Sequence, residues 1–509
     1  MHPGRAAGAQ LGRRPAGAQV RRLAAAPACG ARGRCGRGVR LLPRRRRGLR
    51  QLRLRSLHRD NRIPTPAPER AVRHVEILVN NPGSRFSRLF TGAIRRCLAG
   101  GAQGWTFEPP SQEWAPPRLE RTCLYLHVPF CRNCCPYCPY TKVPYVELLV
   151  EPYKRAALAE LDWWADHIGP AEIGSVYIGG GTPTLALGAI EQVLVRLRQR
   201  FRLVGEVCIE TNPADVDQAC VERLAAMGVA LVSLGVQSFQ ARHLAFLGRR
   251  YQPTTAERAL ARLANGGFAS INVDLMFALP GQSAAELTED LARAAQLGAD
   301  QLTTYPLFTF PFSSVGKHLR QAAVRMPDLG RRRAHYRAIS AWCAGHSFER
   351  ASVWSYKRGA VPRYSSVTRL GYIGIGPGAG SHLPDGFTLN TFDLESWMQA
   401  AFGGRQPIAL RLPFTRRLAG WWWLYWRLYE TRLPLDGLEA AMGDQAPRAR
   451  RWLWALEAAG LAKRTGNSLE LSEAGTFWLH LAQNHFALDY VNTLWSKARQ
   501  EPWPQAILI

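Results

Sequence analysis

The chain has 509 residues, 47% of them apolar, with 11 cysteines and a formal charge of +28. That length supports two or three domains, or one large catalytic domain with appendages, and the apolar share supports a real core. No apolar run approaches the roughly 18 residues that a membrane-spanning helix needs, no secretory signal peptide is recognisable, and cysteines this sparse exclude a disulfide scaffold, so a cytoplasmic protein is expected.

In chain order, residues 1–50 come first, with 14 arginines and no Asp, Glu or Lys, so half of the net charge sits there. Gly, Ala, Pro and Arg dominate it, and such a stretch cannot bury enough apolar surface to fold by itself. Residues 1–60 are therefore read as a basic disordered segment or the product of a misassigned start. A nucleic-acid or anionic-membrane arm and an organelle targeting peptide are the alternatives, the last with poor helical amphipathicity. Because the charge is concentrated in this one segment, it argues against nucleic acid as the main partner. Residues 61–120 read as an irregular extension broken by Pro64, Pro66, Pro68, Pro109, Pro110, Pro116 and Pro117.

From Cys123 onward, strand-like and helix-like runs alternate. Strands are predicted at 123–128, 175–178, 206–210, 231–235, 271–275 and 301–305, and helices at 151–167, 186–200, 214–227, 255–266 and 284–297. Repeated βα units of this kind build a parallel sheet that binds ligands at the strands' C-terminal ends. About six units fit an open or partial (β/α)6-type barrel over residues 121–400. Residues 401–509 differ in texture. Helical runs at 420–431 and 446–459, followed by Leu469-Glu-Leu-Ser-Glu-Ala-Gly475, predict a small winged-helix-like α+β domain. The aromatic run Trp421-Trp-Trp-Leu-Tyr-Trp426 reads as a buried helix, with a pocket wall or a membrane surface as alternatives.

Four cysteines fall in eight residues, Cys131-Arg-Asn-Cys134-Cys135-Pro-Tyr-Cys138, just after the first strand. Cys131, Cys135 and Cys138 make a C-x3-C-x2-C pattern. Soft thiolates suit an iron–sulfur cluster or zinc. Three ligands on a four-iron cluster leave one iron open, as a catalytic cluster needs. Zinc would want a fourth ligand, from Cys134 or His127.

The segment Tyr125-Leu-His-Val-Pro-Phe-Cys131 through Cys138 resembles the signature of the radical S-adenosylmethionine (SAM) enzymes, and more narrowly the oxygen-independent coproporphyrinogen III oxidase-like (HemN-like) branch. The resemblance spans about residues 123–475. It implies that Cys131, Cys135 and Cys138 hold a [4Fe–4S] cluster whose fourth iron is chelated by the methionine amine and carboxylate of SAM, and that Tyr125 touches the cofactor. Ile178-Gly-Gly-Gly-Thr-Pro183 ends a strand, where glycines let a backbone approach a ligand and offer N–H groups. The resemblance makes Gly180, Gly181 and Thr182 the binders of the methionine amino group. In Glu206-Val-Cys-Ile-Glu210, period two places Glu206, Cys208 and Glu210 on one face. Glu210 matches the family's cofactor-contacting glutamate, Gln237 a further polar contact, and Asp274 a holder of ribose hydroxyls. Many relatives carry arginine where Leu231 stands, and usually glycine where Ala278 stands. Tyr372-Ile-Gly-Ile-Gly376-Pro-Gly378-Ala-Gly380-Ser381 reads as a loop, and resembles a glycine-rich segment near the substrate.

The resemblance implies that an external one-electron donor such as flavodoxin or ferredoxin reduces the cluster. SAM then breaks down to methionine and a 5'-deoxyadenosyl radical that takes hydrogen from a small-molecule substrate. The oxidase's Gly-Tyr-Thr-Thr-type segment and the His-Asn-x-x-Tyr-Trp signature of the haem-binding chaperones are both missing. Tyr364-Ser-Ser-Val-Thr-Arg369 stands where the first is expected. This favours a methylating or alkylating member using one SAM or two, with a tetrapyrrole as the first substrate class. Oxidative decarboxylation of coproporphyrinogen, a haem-binding chaperone and a nucleic-acid binder with a structural metal are the alternatives.

Overall fold

Each alternating run becomes a strand or a helix close to its predicted bounds. The computed structural model describes residues 104–363 and 371–509. The basic segment, most of the extension and the 364–369 stretch lie outside the described residues. The first six core strands are β1 Arg121–Val128, β2 Glu172–Gly180, β3 Val207–Thr211, β4 Val229–Gln237, β5 Ser270–Phe277 and β6 Gln301–Pro306. They pair in parallel in that order. The intervening helices include α1 Glu147–Ile168, α2 Leu187–Arg200, α3 Gln218–Ala226, α4 Pro253–Ala264 and α5 Ala284–Gln296. Local chemistry sets their starts. Pro253 opens α4, where its missing N–H goes unused, and Ser283 and Glu286 form a reciprocal capping box on α5.

Helix-facing positions of the strands carry Leu124, Leu126, Val128, Val176, Ile178, Val207, Ile209, Val232 and Val273, all buried in one core with Leu161, Trp164, Ile190 and Leu260. At about 25 cal/mol per Å² of apolar area, this layer supplies most of the driving force for closing helices onto the sheet.

The sheet extends further than the sequence reading. Tyr372–Ile375, read as part of a loop, is a seventh parallel strand on the outer side of β1. Antiparallel strands Gly380–Leu383, Gly386–Asn390 and Ile408–Pro413 follow it, and Ser355–Arg358 and Phe348–Arg350 extend the opposite edge beyond β6. The edges do not pair, so the barrel is open as expected. Glycine has low strand propensity, which hid Tyr372–Ile375, but here it is required by close approach. A Cβ on Gly374 would stand 2.1 Å from the Gly380 carbonyl, and one on Gly376 (φ +111°) 2.5 Å from that of His127.

The C-terminal residues form helices Arg416–Tyr429 and Ala446–Ala458 and a three-stranded antiparallel sheet of Arg432–Pro434, Ser468–Leu471 and Ala462–Thr465, the expected helix-and-hairpin arrangement. Trp421 and Leu424 bury against Leu433, Leu453 and Leu469. Within the stretch read as irregular, Thr106–Phe107 pairs antiparallel with Ile507–Leu508, which ties the two ends of the described chain together.

One buried carboxylate fixes the glycine-rich strand to α1. Glu160 accepts from the Gly376 N–H (2.9 Å), Asn390 Nδ2 (2.7 Å) and Trp397 Nε1 (2.7 Å). Burial pushes its carboxyl up to about 7 against the pull of these donors. Glu160→Ala strands three buried donors, so it is expected to lower stability by about 3 kcal/mol, read as a shifted urea midpoint. An unchanged midpoint would show that the network carries no stability.

Candidate active site

The strand faces opposite the helices are polar, which a parallel sheet sustains only if its lumen is solvated or occupied. They bring Tyr125, Tyr177, Glu210, Ser233, Asp274, Thr303 and Tyr305 around two adjoining compartments of about 300 and 410 Å3. Asn272 organises the far wall, donating to Ser233 and to Asp274 (2.8 Å each) and accepting from the Thr303 hydroxyl (2.9 Å).

The smaller compartment is lined by Cys131, Cys135 and Cys138 together with Gly180, Gly181, Thr182, Glu210, Gln237 and Asp274. Nine of the ten residues expected at the site therefore share one cavity. Tyr125 faces the larger compartment, which shares Tyr140, Tyr177, Gly180 and Glu210 with the first. Cys134 is exposed and is not among the residues lining either compartment.

The cysteine loop is held at both ends. Tyr145 N–H bonds the Cys131 carbonyl (2.9 Å), Lys142 Nζ the Cys138 carbonyl (2.6 Å), and Asn133 Nδ2 the Gly248 carbonyl (2.5 Å). Burial, then the neighbouring thiols, pushes the Cys131 thiol up to about 12, and burial raises Cys138 as well. Thiolates gathered here need a bound cation to offset their charge, and three soft donors on one wall of a cavity fit a cluster with one iron facing the open space. His127 is not available to zinc. Its Nε2 meets the Thr141 carbonyl at 2.9 Å and must be the donor there, while Nδ1 accepts from the Tyr125 hydroxyl at 2.8 Å. Burial lowers His127 to about 4, so the ring is neutral.

The triple glycine serves a different purpose from the one expected. Its N–H groups are already engaged: Gly180 donates to Glu210 Oε2 (3.1 Å), Gly181 to the Val128 carbonyl (2.8 Å) and Thr182 to the Phe130 carbonyl (2.7 Å). A Cβ on Gly180 (φ +117°) would come within 2.7 Å of the His127 ring, and one on Gly181 within 2.5 Å of the Phe130 carbonyl. The glycines thus let β2 fold against the cysteine loop. An ammonium group would meet carbonyl oxygens and the Thr182 hydroxyl there, rather than N–H donors.

Two carboxyls occupy this cavity. Glu210 accepts from the Tyr177 hydroxyl (2.6 Å) and the Gly180 N–H, and burial raises its carboxyl despite these bonds. Burial, then the nearby Glu210 charge, pushes Asp274 up to about 7. Gln237 sits at φ +73° and accepts from the Tyr305 hydroxyl (2.5 Å). Ala278, where relatives usually carry glycine, has φ +56°, a backbone region that favours glycine. The chain holds β5's C-terminal end in that strained conformation with alanine.

Sequence reasoning missed Arg249. Leu231, where an arginine was expected, is buried beside Cys208. Besides Lys142, a cation lining the cysteine cavity comes from the segment after β4, where Arg249 Nη2 donates to the Tyr137 hydroxyl (2.8 Å) and Nε is buried without a partner. The turn at Gly248 (φ +70°), against Pro136 of the cysteine loop, was the available signal. Trp354 and Phe308 were missed as cavity walls because they lie far apart in sequence, whereas Trp426 takes the pocket-wall alternative that the aromatic run offered.

Residues 125–294 match the Radical SAM superfamily. The anaerobilin synthase of Escherichia coli O157:H7 is 28% identical over 399 residues, 76% of this chain and 88% of that protein. Heme chaperone HemW of Escherichia coli K12 is 34% identical over 295 residues, 54% of this chain and 74% of HemW. Among solved structures, coproporphyrinogen III oxidase (HemN) of Escherichia coli has the same fold, with a TM-score of 0.62 at 19% identity, covering 78% of this chain and 92% of HemN. The [4Fe–4S] cluster and SAM are the cofactors of this superfamily, and the cysteine-lined cavity fits both. On its sequence relatives and its fold, the chain belongs to the HemN-like family of radical SAM proteins.

Proposed function

We propose that the protein is a radical SAM enzyme that alkylates or methylates a tetrapyrrole. The observation that carries this reading is the continuity of the two compartments. A polar one lies at the cysteine loop and an aromatic one beside it, with Tyr140, Tyr177, Gly180, Glu210, Phe308 and Trp354 common to both walls. When bound and reduced, the cluster supplies the electron that breaks SAM into methionine and a 5'-deoxyadenosyl radical.

The residues divide the remaining work. Cys131, Cys135 and Cys138 hold the cluster. Thr182 and the carbonyls beside it would accept from the N–H groups of the methionine amine, Arg249 would receive the carboxylate, and Asp274 would accept from ribose hydroxyls. Glu210 and Tyr177 fix the wall between cofactor and substrate. The aromatic compartment excludes water from a reactive radical and stacks a flat ring. The names of the relatives (a bilin synthase, a heme chaperone, a coproporphyrinogen oxidase) support a tetrapyrrole. The missing oxidase and chaperone signatures support alkylation, with a second SAM as donor. An external flavodoxin- or ferredoxin-type protein supplies the electron.

Incubation of the reduced holoenzyme with methyl-deuterated SAM and a tetrapyrrole tests this reading. Deuterium in the tetrapyrrole product, with 5'-deoxyadenosine and S-adenosylhomocysteine, is expected. An unlabelled product that has lost carbon dioxide would establish decarboxylation instead, and stable tetrapyrrole binding with no methionine released would establish a chaperone.

Single Cys→Ala changes at 131, 135 or 138 are expected to remove most bound iron and all SAM cleavage, while Cys134→Ala keeps both. Full iron in Cys135→Ala would contradict the assignment.

SAM carries positive sulfonium and ammonium groups, so it binds best when Asp274 is ionised. Since Asp274 titrates near 7 in the free protein, SAM affinity should rise as pH increases from 6 to 8. Asp274→Asn should weaken binding about 10-fold and flatten the profile. An unchanged pH profile in Asp274→Asn, measured by calorimetry, would remove Asp274 from the cofactor site.

A further inference from the structure

The aromatic compartment has one cation on its wall among the described residues, and it comes from the far end of the chain. Arg499 follows helix Asn492–Ala498, and its Nη2 donates to the carbonyl of Pro139, the residue after Cys138, at 2.7 Å. Its guanidinium lies 4.7 Å from the ring centre of Phe392, 4.9 Å from that of Phe312 and 5.8 Å from that of Trp495. These contacts hold it flat against rings and satisfy one of its nitrogens. Its Nε is buried with no hydrogen-bond partner. No Asp or Glu forms an ion pair with it among the described residues, whereas Arg411 and Arg427 of the same C-terminal region both have carboxylate partners.

A partly buried guanidinium without a carboxylate is unfavourable unless a ligand completes it. Burial lowers Arg499 to about 10, which still leaves it charged at neutral pH. The acid on the same wall, Glu210, is committed to Tyr177 and Gly180. Much of the rest of the wall is aromatic, including Tyr125, Tyr140, Phe308, Phe310, Trp354 and Trp426. A ligand that satisfies this wall is flat and apolar over most of its area and carries an anionic arm at one edge.

We propose that Arg499 is the specificity-determining cation of the aromatic compartment and reads a carboxylate on the rim of the bound ring. This rests on the proposed tetrapyrrole reading. Arg499 also couples recognition to the cluster, because the same guanidinium bonds the backbone next to Cys138.

The test is equilibrium binding of mesoporphyrin IX and of its dimethyl ester to the cluster-loaded full chain, wild type and Arg499→Gln, followed by porphyrin absorbance in the same detergent. Wild type should bind the diacid about 10- to 100-fold more tightly than the diester, as a charge-assisted hydrogen bond implies. Arg499→Gln should lose that discrimination while binding the diester as wild type does, and Arg499→Lys should restore part of it. Iron content and circular dichroism check that the variants are folded. Equal binding of diacid and diester by wild type overturns the proposal without any variant, as does full discrimination in a folded Arg499→Gln. In both cases the tetrapyrrole reading stands. Failure of wild type to bind either porphyrin removes that reading and the proposal with it.

Discussion

Glu210 and Asp274 share one desolvated cavity, and much of the site's design follows from keeping both there. Burial raises each carboxyl above its ordinary range, and the charge on Glu210 adds to the effect on Asp274. Tyr177, the Gly180 N–H and Asn272 offset part of this with hydrogen bonds, but among the described residues neither acid forms an ion pair. Arg249, a cation on the same cavity wall, is turned toward Tyr137. Two such acids are best compensated by a ligand that brings positive charge, and SAM brings a sulfonium cation. The lumen is thus poised for a cationic ligand in the same way that the cysteine loop is poised for iron.

Close packing makes that placement possible. The His127 ring sits between Tyr125 and Thr141 and lies close against Gly180, so the first strand, the triple glycine and Glu210 are packed together. On the other side, Gly376 lies against the His127 carbonyl and is tied by Glu160 to α1. A side chain at either glycine would push the cysteine loop off the strands that line the cavity. The glycines are therefore best understood as spacing elements that let polar groups converge.

Much of this was legible in the sequence. The alternating runs predicted all six first strands, because period-two burial and amphipathic helices leave strong local patterns. The cysteine spacing was visible directly, and the family resemblance singled out Glu210 and Asp274, both of which lie on strands that line the cavity. The strand at Tyr372–Ile375 was not, since glycine obscures strand propensity and only the tertiary contact with Gly380 requires it. Arg249 and Arg499 were missed for a related reason. Each is one arginine among many in a basic chain, and only folding shows which guanidinium reaches the cavity. The expectation that the triple glycine offers N–H groups failed because those donors are used inside the fold.

The central claim is that the open side of the cluster and the Glu210–Asp274 cavity bind one SAM molecule together. Electron–nuclear double resonance on the reduced, reconstituted protein with SAM carrying 15N in its amino group tests it most directly. The account predicts a 15N coupling to the cluster large enough to require direct ligation of the amine to iron, weakened or lost in Asp274→Asn at limiting SAM. A reduced cluster whose spectrum shows no coupling to the labelled amine at saturating SAM would contradict it.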